Sequence, residues 1–249
     1  NKEFLTKYAA KAFESRFAIW FEDWTAARDA AKTVIDANLY SIVPAGQYVA
    51  SFAVDAPANS IFELAYDGTD NEGINGLEYI YRGSSYGDIS VAPTVFNTLY
   101  SEEDVRADIL GTEAVGTNTR LRNLGKYPER SSNVVLIRYE EVVLNYAEAL
   151  FELGDPEALT WLNMIPENRN AAPYAEVTKE NILEERRKEF LFEGHYYWDL
   201  QRMGYDILEI DTEQNINAPV PYGDHRRIHP IPNVELDANS NMVQNPGYN

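Results

Sequence analysis

Cysteine is absent from the 249 residues of this chain. Disulfides, thiolate catalysis and zinc–thiolate sites are therefore excluded, although the compartment stays open because many exported proteins also lack cysteine. Histidine is scarce, with three in all. His225 and His229 follow Asp224 in a proline-rich stretch with no helix to put them on one face, so they are expected to face solvent or anchor a loop rather than bind a metal. Long apolar runs are missing: Val134 to Ile137 gives way to Arg138, and nothing approaches the roughly 20 residues of a membrane-spanning helix. Basic residues are in deficit, 21 against 40 acidic ones, for a net charge of −19. Such a chain repels phosphate backbones and anionic headgroups over a Debye length of about 8 Å, so nucleic acid is not an expected partner. The opening Asn1-Lys2-Glu3-Phe4 holds neither a signal peptide nor a lipid-attachment cysteine, and the expectation is a removed start or a fragment.

What is present is enough apolar material, 45% of residues, for a substantial core. Residues 4 to 20 place Phe4, Leu5, Tyr8, Ala12, Phe13, Ile19 and Trp20 mostly on one side of a 3.6-residue spiral, and Trp24 to Ile35 repeats the pattern with Ala27, Ala31 and Val34. Val134 to Leu153 reads as another such helix, stopped by Gly154, with Asp155 and Pro156 as cap and first turn of its partner. Small alanines and short acidic turns resemble tetratricopeptide hairpins, here two separated pairs. Between them, residues 38–132 form a long insertion broken by Pro44, Pro57, Pro93 and several glycines, with Ser60 to Tyr66 the best strand and Ser101 with Asp104 a capping box for a helix to Leu110. Thr178 caps a helix expected to run through Phe192, and Gly194 interrupts it before Tyr196 to Met203. The predicted fold is mainly α, with helical hairpins, long irregular loops and a few short strands. One domain is expected: a hairpin at 1–37, the insertion at 38–132 and a carboxy-terminal region at 133–249.

Glu185, Glu189 and Glu193 recur every four residues beside Arg186 and Arg187, which reads as a structural ion-pair network. A glycoside hydrolase instead needs two carboxylates about 5 to 9.5 Å apart across a cleft, a weak inference among 40 acidic residues. Asp67, Asp70 and Glu72 lie in a glycine-bearing loop but lack the spacing of an EF-hand, so calcium stays open and no metal or cofactor is assigned. The 17 tyrosines matter more. Flat rings stack on sugar faces while neighbouring polar groups bond hydroxyls, and Tyr79, Tyr81, Arg82 and Tyr86 meet that description on one loop. The plainer alternative is that these tyrosines pin an irregular segment to the body. Trp20, Trp24, Trp161 and Trp198 fall in helical patterns and are expected in the core.

The strings Arg138-Tyr139-Glu140-Glu141-Val142, Asn145-Tyr146-Ala147-Glu148-Ala149, Leu162-Asn163-Met164-Ile165, Glu185-Arg186, Glu189, Glu193-Gly194-His195, Asp199-Leu200 with Arg202, Pro230-Ile231-Pro232 and Gln244-Asn245-Pro246-Gly247-Tyr248 occur in that order. Together they resemble the carboxy-terminal half of the SusD/RagB-type proteins, surface glycan-binding lipoproteins of Bacteroidetes. Tyr196 and the lengthened Ile165-Pro166-Glu167-Asn168-Arg169 depart from the family pattern, and the family's amino half, with its lipid anchor, is not in this sequence. The resemblance implies a non-enzymatic subunit at the outer-membrane surface that captures an oligo- or polysaccharide for a SusC-like TonB-dependent transporter. It also implies that the signature strings are scaffold and that ligand contacts come from variable loops. A hydrolase, or a helical scaffold that binds peptides, are the competing readings.

Overall fold

The computed structural model describes residues 2–82, 89–115, 117–211 and 215–248. Two compact units divide the chain, Asn1–Tyr196 and Tyr197–Asn249.

In the first unit, small side chains let two helices close on each other. Helix α1 (Lys7–Trp20) and helix α2 (Trp24–Asp36) meet through Ala9, Ala12, Ala27, Ala30 and Ala31, all buried. Each helix starts where a side chain accepts an otherwise orphaned amide: Thr6 Oγ1 from Ala9 at 3.1 Å, and Asp23 Oδ1 from Ala26 at 3.0 Å. Phe4 and Leu5 fall outside the helix and are exposed.

The insertion contributes short elements: strand β1 (Ser60–Leu64), helix α3 (Leu77–Tyr81), helix α4 (Pro93–Thr98), and strands β2 (Leu110–Val115) and β3 (Asn118–Asn123), which form an antiparallel hairpin. Ser101 does not open an α-helix to Leu110. Asp104 caps a 3₁₀ turn, Val105–Ile109, by accepting from Arg106 N at 3.0 Å, and the chain then extends into β2.

Val134 to Arg138, expected as the start of a helix, is strand β4, antiparallel to β1 with Phe62 opposite Ile137 and Leu64 opposite Val134. The reason is that β-branched Val134, Val135 and Ile137 find an extended partner, so sheet pairing outcompetes helix propagation. The same pairing ties the insertion to the body. Helix α5 (Tyr139–Glu152) follows directly and is buried from Tyr139 to Leu150. It packs against α1, α2, helix α6 (Ala158–Glu167) and helix α7 (Lys179–Glu189).

The α5–α6 turn passes through Gly154 at φ +72°, which costs a glycine nothing. Asp155 is not a helix cap. Its carboxylate accepts from Glu157 N at 2.9 Å in a local turn, and α6 begins at Ala158. Thr178 does cap α7, which ends at Glu189 rather than Phe192, because Phe192 at φ +70° and Gly194 at φ +79° turn the chain. Trp161 packs edge-on against Tyr146 at 4.8 Å. Trp20 is not in the core. It is 38% exposed, since the inner face of α1 is taken by its small residues.

Helix α8 (Tyr196–Met203) leads into the second unit. Asp199 and Leu200 are its buried residues, and Trp198, expected in the core, is 57% exposed. Beyond it the chain is held by polar contacts more than by regular structure. Tyr197 OH donates to Arg227 O at 2.6 Å and Arg227 Nη1 to Tyr205 O at 2.7 Å. The proline motif meets the terminal motif: Gln244 accepts from Ile231 N at 2.8 Å and donates to Ile231 O at 2.9 Å, and Asn245 donates to His229 O at 2.8 Å. Helix α9 (Asn233–Ala238) lies between these two motifs in sequence. Both histidines anchor loops, His229 through that carbonyl and His225 through its ring against Tyr248 at 5.1 Å.

Candidate functional site

Glu185 and Glu189 of α7 are buried and Glu193 in the turn after it is partly so, and a carboxylate taken out of water must be matched by cations. Glu189 is the hub. It accepts from Arg169 Nη2 at 2.8 Å and Nε at 3.0 Å, from Arg138 Nη1 at 2.6 Å and from Arg106 Nη1 at 3.3 Å. Glu193 binds Arg138 through two bonds of 3.0 Å and the ammonium of Lys126. Glu185 accepts from Arg106 at 2.6 Å and from Tyr174 OH at 3.1 Å, and Glu140 of α5 from Arg169 and from Asn59.

Burial pushes the Glu189 carboxyl up, but Arg169, Arg138 and Arg106 outweigh it and hold it well below the usual range. By the same balance, with Arg138 and Lys126 as the cations, Glu193 sits at about 2. Burial dominates at Glu185, whose carboxyl is pushed up against the pull of Arg106. Lys126 is fully buried, and that desolvation brings its ammonium down to about 8 although Glu193 opposes the shift. His195 rests with its ring 4.6 Å from Phe190 and its Nε2 3.8 Å from Glu141, itself bound by Arg16. The carboxylates of the signature are thus committed to arginines across the body.

Above this network lies an open space. A cavity of about 60 Å³ is walled by Phe52, Val54, Leu77 and Val135, with Lys126, Arg138 and Glu193 among its lining residues. Glu78, Glu129 and Arg130 line both that cavity and an open groove of about 300 Å³ that carries Tyr79. The exposed Arg130 donates to Tyr79 OH at 3.3 Å, its guanidinium 5.8 Å from the ring centre.

The loop tyrosines proposed from sequence take different positions. Tyr79 lines the groove. Tyr81 faces inward, stacked on Tyr127 at 5.7 Å and tilted against Phe192 at 5.6 Å, as an anchor does. Arg82 Nη1 donates to Leu124 O. Tyr86 lies outside the described residues. Sequence reasoning missed Lys126, Glu129 and Arg130. The string Lys126-Tyr127-Pro128-Glu129-Arg130 has a suggestive composition, but only the fold brings it beside Tyr79. In the acidic loop, Asp67 Oδ1 accepts from Thr69 N at 2.6 Å and Asp70 N at 2.7 Å, and these backbone bonds hold its carboxyl below the usual range. Among the described residues, no group of three or more His, Asp or Glu is placed to hold a metal, and no helix is long and apolar enough to cross a membrane.

Residues 123–248, just over half the chain, match the SusD family. The chain belongs to that family. A SusD-like protein P2 of Formosa agariphila is 31% identical over 140 residues, 48% of this chain and 27% of the relative. The starch-binding protein SusD of Bacteroides thetaiotaomicron is 29% identical over 126 residues, 49% of this chain and 22% of the relative. A solved SusD superfamily protein from Bacteroides vulgatus superposes with a TM-score of 0.87 at 27% identity, covering 100% of this chain and 61% of its own. The chain therefore spans less than two thirds of that SusD structure. The mainly helical architecture read from the sequence is the architecture of these SusD relatives.

Proposed function

We propose that this SusD-family chain belongs to a non-catalytic subunit that captures a glycan at the outer surface of a Bacteroidetes cell and delivers it to a SusC-like TonB-dependent transporter. The observation that carries the reading is the groove, where Tyr79 and Arg130 stand at an open mouth above a body whose signature carboxylates are occupied by arginines. An aromatic face beside hydrogen-bonding groups suits a sugar ring. The bound state of those carboxylates favours capture over hydrolysis, which needs carboxylates facing a substrate. The starch-binding relative supports the same ligand class. Tyr81 and Arg82 hold the short helix α3 that presents Tyr79, and Tyr86 remains a proposed contact.

The test is a glycan array followed by calorimetric titration of the full chain with each hit. Tyr79→Ala is expected to weaken binding by roughly tenfold, the worth of one stacking contact, with an unchanged unfolding temperature. Undiminished affinity in that variant would remove Tyr79 from the site. New reducing ends during incubation would replace capture by hydrolysis. Delivery is tested by uptake in cells carrying the transporter, which should fall with the same variant.

A further inference from the structure

Resting on the glycan reading above, we propose that Glu129 and Arg130 select a neutral glycan whose rings keep a pair of neighbouring hydroxyls, and that they bind this pair at the Tyr79 groove. Commitment of charge decides first. Carboxylates elsewhere in the body are taken: Glu189 and Glu193 by arginines, Glu141 by Arg16 and Glu113 by Arg122. Glu129 is not. It is exposed, it lines both the groove and the adjoining cavity, and its carboxylate makes no hydrogen bond or ion pair among the described residues. Arg130 beside it donates to Tyr79 OH at 3.3 Å and has no carboxylate partner among those residues.

The chain around these two residues fixes their position. Tyr127 OH donates to Phe192 O at 3.0 Å and its ring stacks on Tyr81, Pro128 restricts its own φ, and Ser132 N donates to Glu129 O at 3.3 Å. Groups held in place beforehand lose little freedom on binding. The two side chains are opposite in kind: an ionised carboxylate only accepts, through two oxygens, and a guanidinium only donates. A hydroxyl does both. Two hydroxyls on adjacent carbons can therefore donate to Glu129 and accept from Arg130 while the apolar face of their ring rests on Tyr79. A uronate or sulfate would meet Glu129 and Glu78, and an ammonium would meet Arg130, so a charge of either sign on the glycan gains one partner and a like-charged neighbour.

The experiment titrates the full chain calorimetrically with 1,4-linked glucan, mannan and xylan oligosaccharides, whose internal rings keep hydroxyls on carbons 2 and 3. The controls are 1,3-linked glucan and chitin oligosaccharides, whose internal rings keep no such pair. At least one diol-bearing probe should bind roughly tenfold more tightly than either control, the worth of hydrogen bonds to a charged group at an exposed site. Glu129→Ala should bring that ratio to about one and leave the unfolding temperature unchanged, because the side chain is exposed and unpaired among the described residues. Diol-bearing probes that bind no more tightly than the controls overturn the proposal, as does a preference that survives Glu129→Ala or a loss in that variant that is equal for every probe. Binding to other glycans but to none of the diol-bearing probes overturns it too, leaving the glycan reading intact. Failure to bind any glycan overturns that reading itself.

Discussion

Glu189 shows how much of this protein rests on one side chain. Three arginines converge on its carboxylate, and without it the three buried guanidinium groups would share only the remaining carboxylates, Asp104, Glu140, Glu185 and Glu193. Glu189→Gln keeps the shape and removes the charge, so it is expected to cost about 3–5 kcal/mol, the range for breaking a buried pair. Urea unfolding measures this, and a loss under about 1 kcal/mol would show that the arginines find other partners. Lys126 carries a pH dependence. Unfolded, it holds its proton up to its ordinary 10.5, and folded, only to about 8. Between those values the unfolded chain binds more protons, so stability rises with pH. The wild type minus Lys126→Met difference should climb by up to about 3 kcal/mol from pH 8 to 10.5, and a flat difference would place the titration elsewhere. Glu193 gives a slope of the same sign at lower pH, its contribution complete above pH 4.5 and lost as pH falls from there to about 2.

At the scale of elements, alanine spacing, Asp23, Thr178 and Gly154 were enough to locate the hairpins, because caps and helical periods act over a few neighbouring residues. Val134 to Ile137 misled for the opposite reason. A short apolar run serves a helix or a strand, and the deciding partner, β1, lies in another part of the sequence. The stretch after β3 carries a further condition. Gly125 donates to Ile109 O at 3.1 Å, and a β-carbon added there would stand 2.7 Å from the Ile109 Cα. Backbone cannot yield as a flexible side chain does, so Gly125→Ala should destabilise by about 1–3 kcal/mol. Because Lys126 follows it, the variant should also weaken glycan binding in proportion to local disorder. Normal melting together with normal affinity would show that the two segments separate freely.

For the whole molecule, the net charge of −19 bears on the choice of ligand. Ring stacking and hydroxyl bonding are nearly free of ionic screening, while a polyanion meets repulsion over about a Debye length. Affinity for a neutral glycan should therefore change less than about twofold between about 50 and 500 mM salt, and a sulfated polysaccharide should bind weakly and gain with salt. Calorimetry over that range checks both, and steep weakening of neutral-glycan binding with salt would point to charged recognition. The family strings and the helical hairpins were legible in order along the chain, since they depend on residue type and short spacing. The candidate cleft was legible only through Tyr79, which was expected on a loop and lies in the short helix α3. What the amino-acid order determined by itself is the helical body and the family. Tertiary structure decided the partners of Glu189, which come from 20, 51 and 83 residues away, and the meeting of Tyr79 with Glu129 and Arg130 around one groove. Charge pairing and cavity shape have no period along a sequence. They exist only once distant segments are packed together.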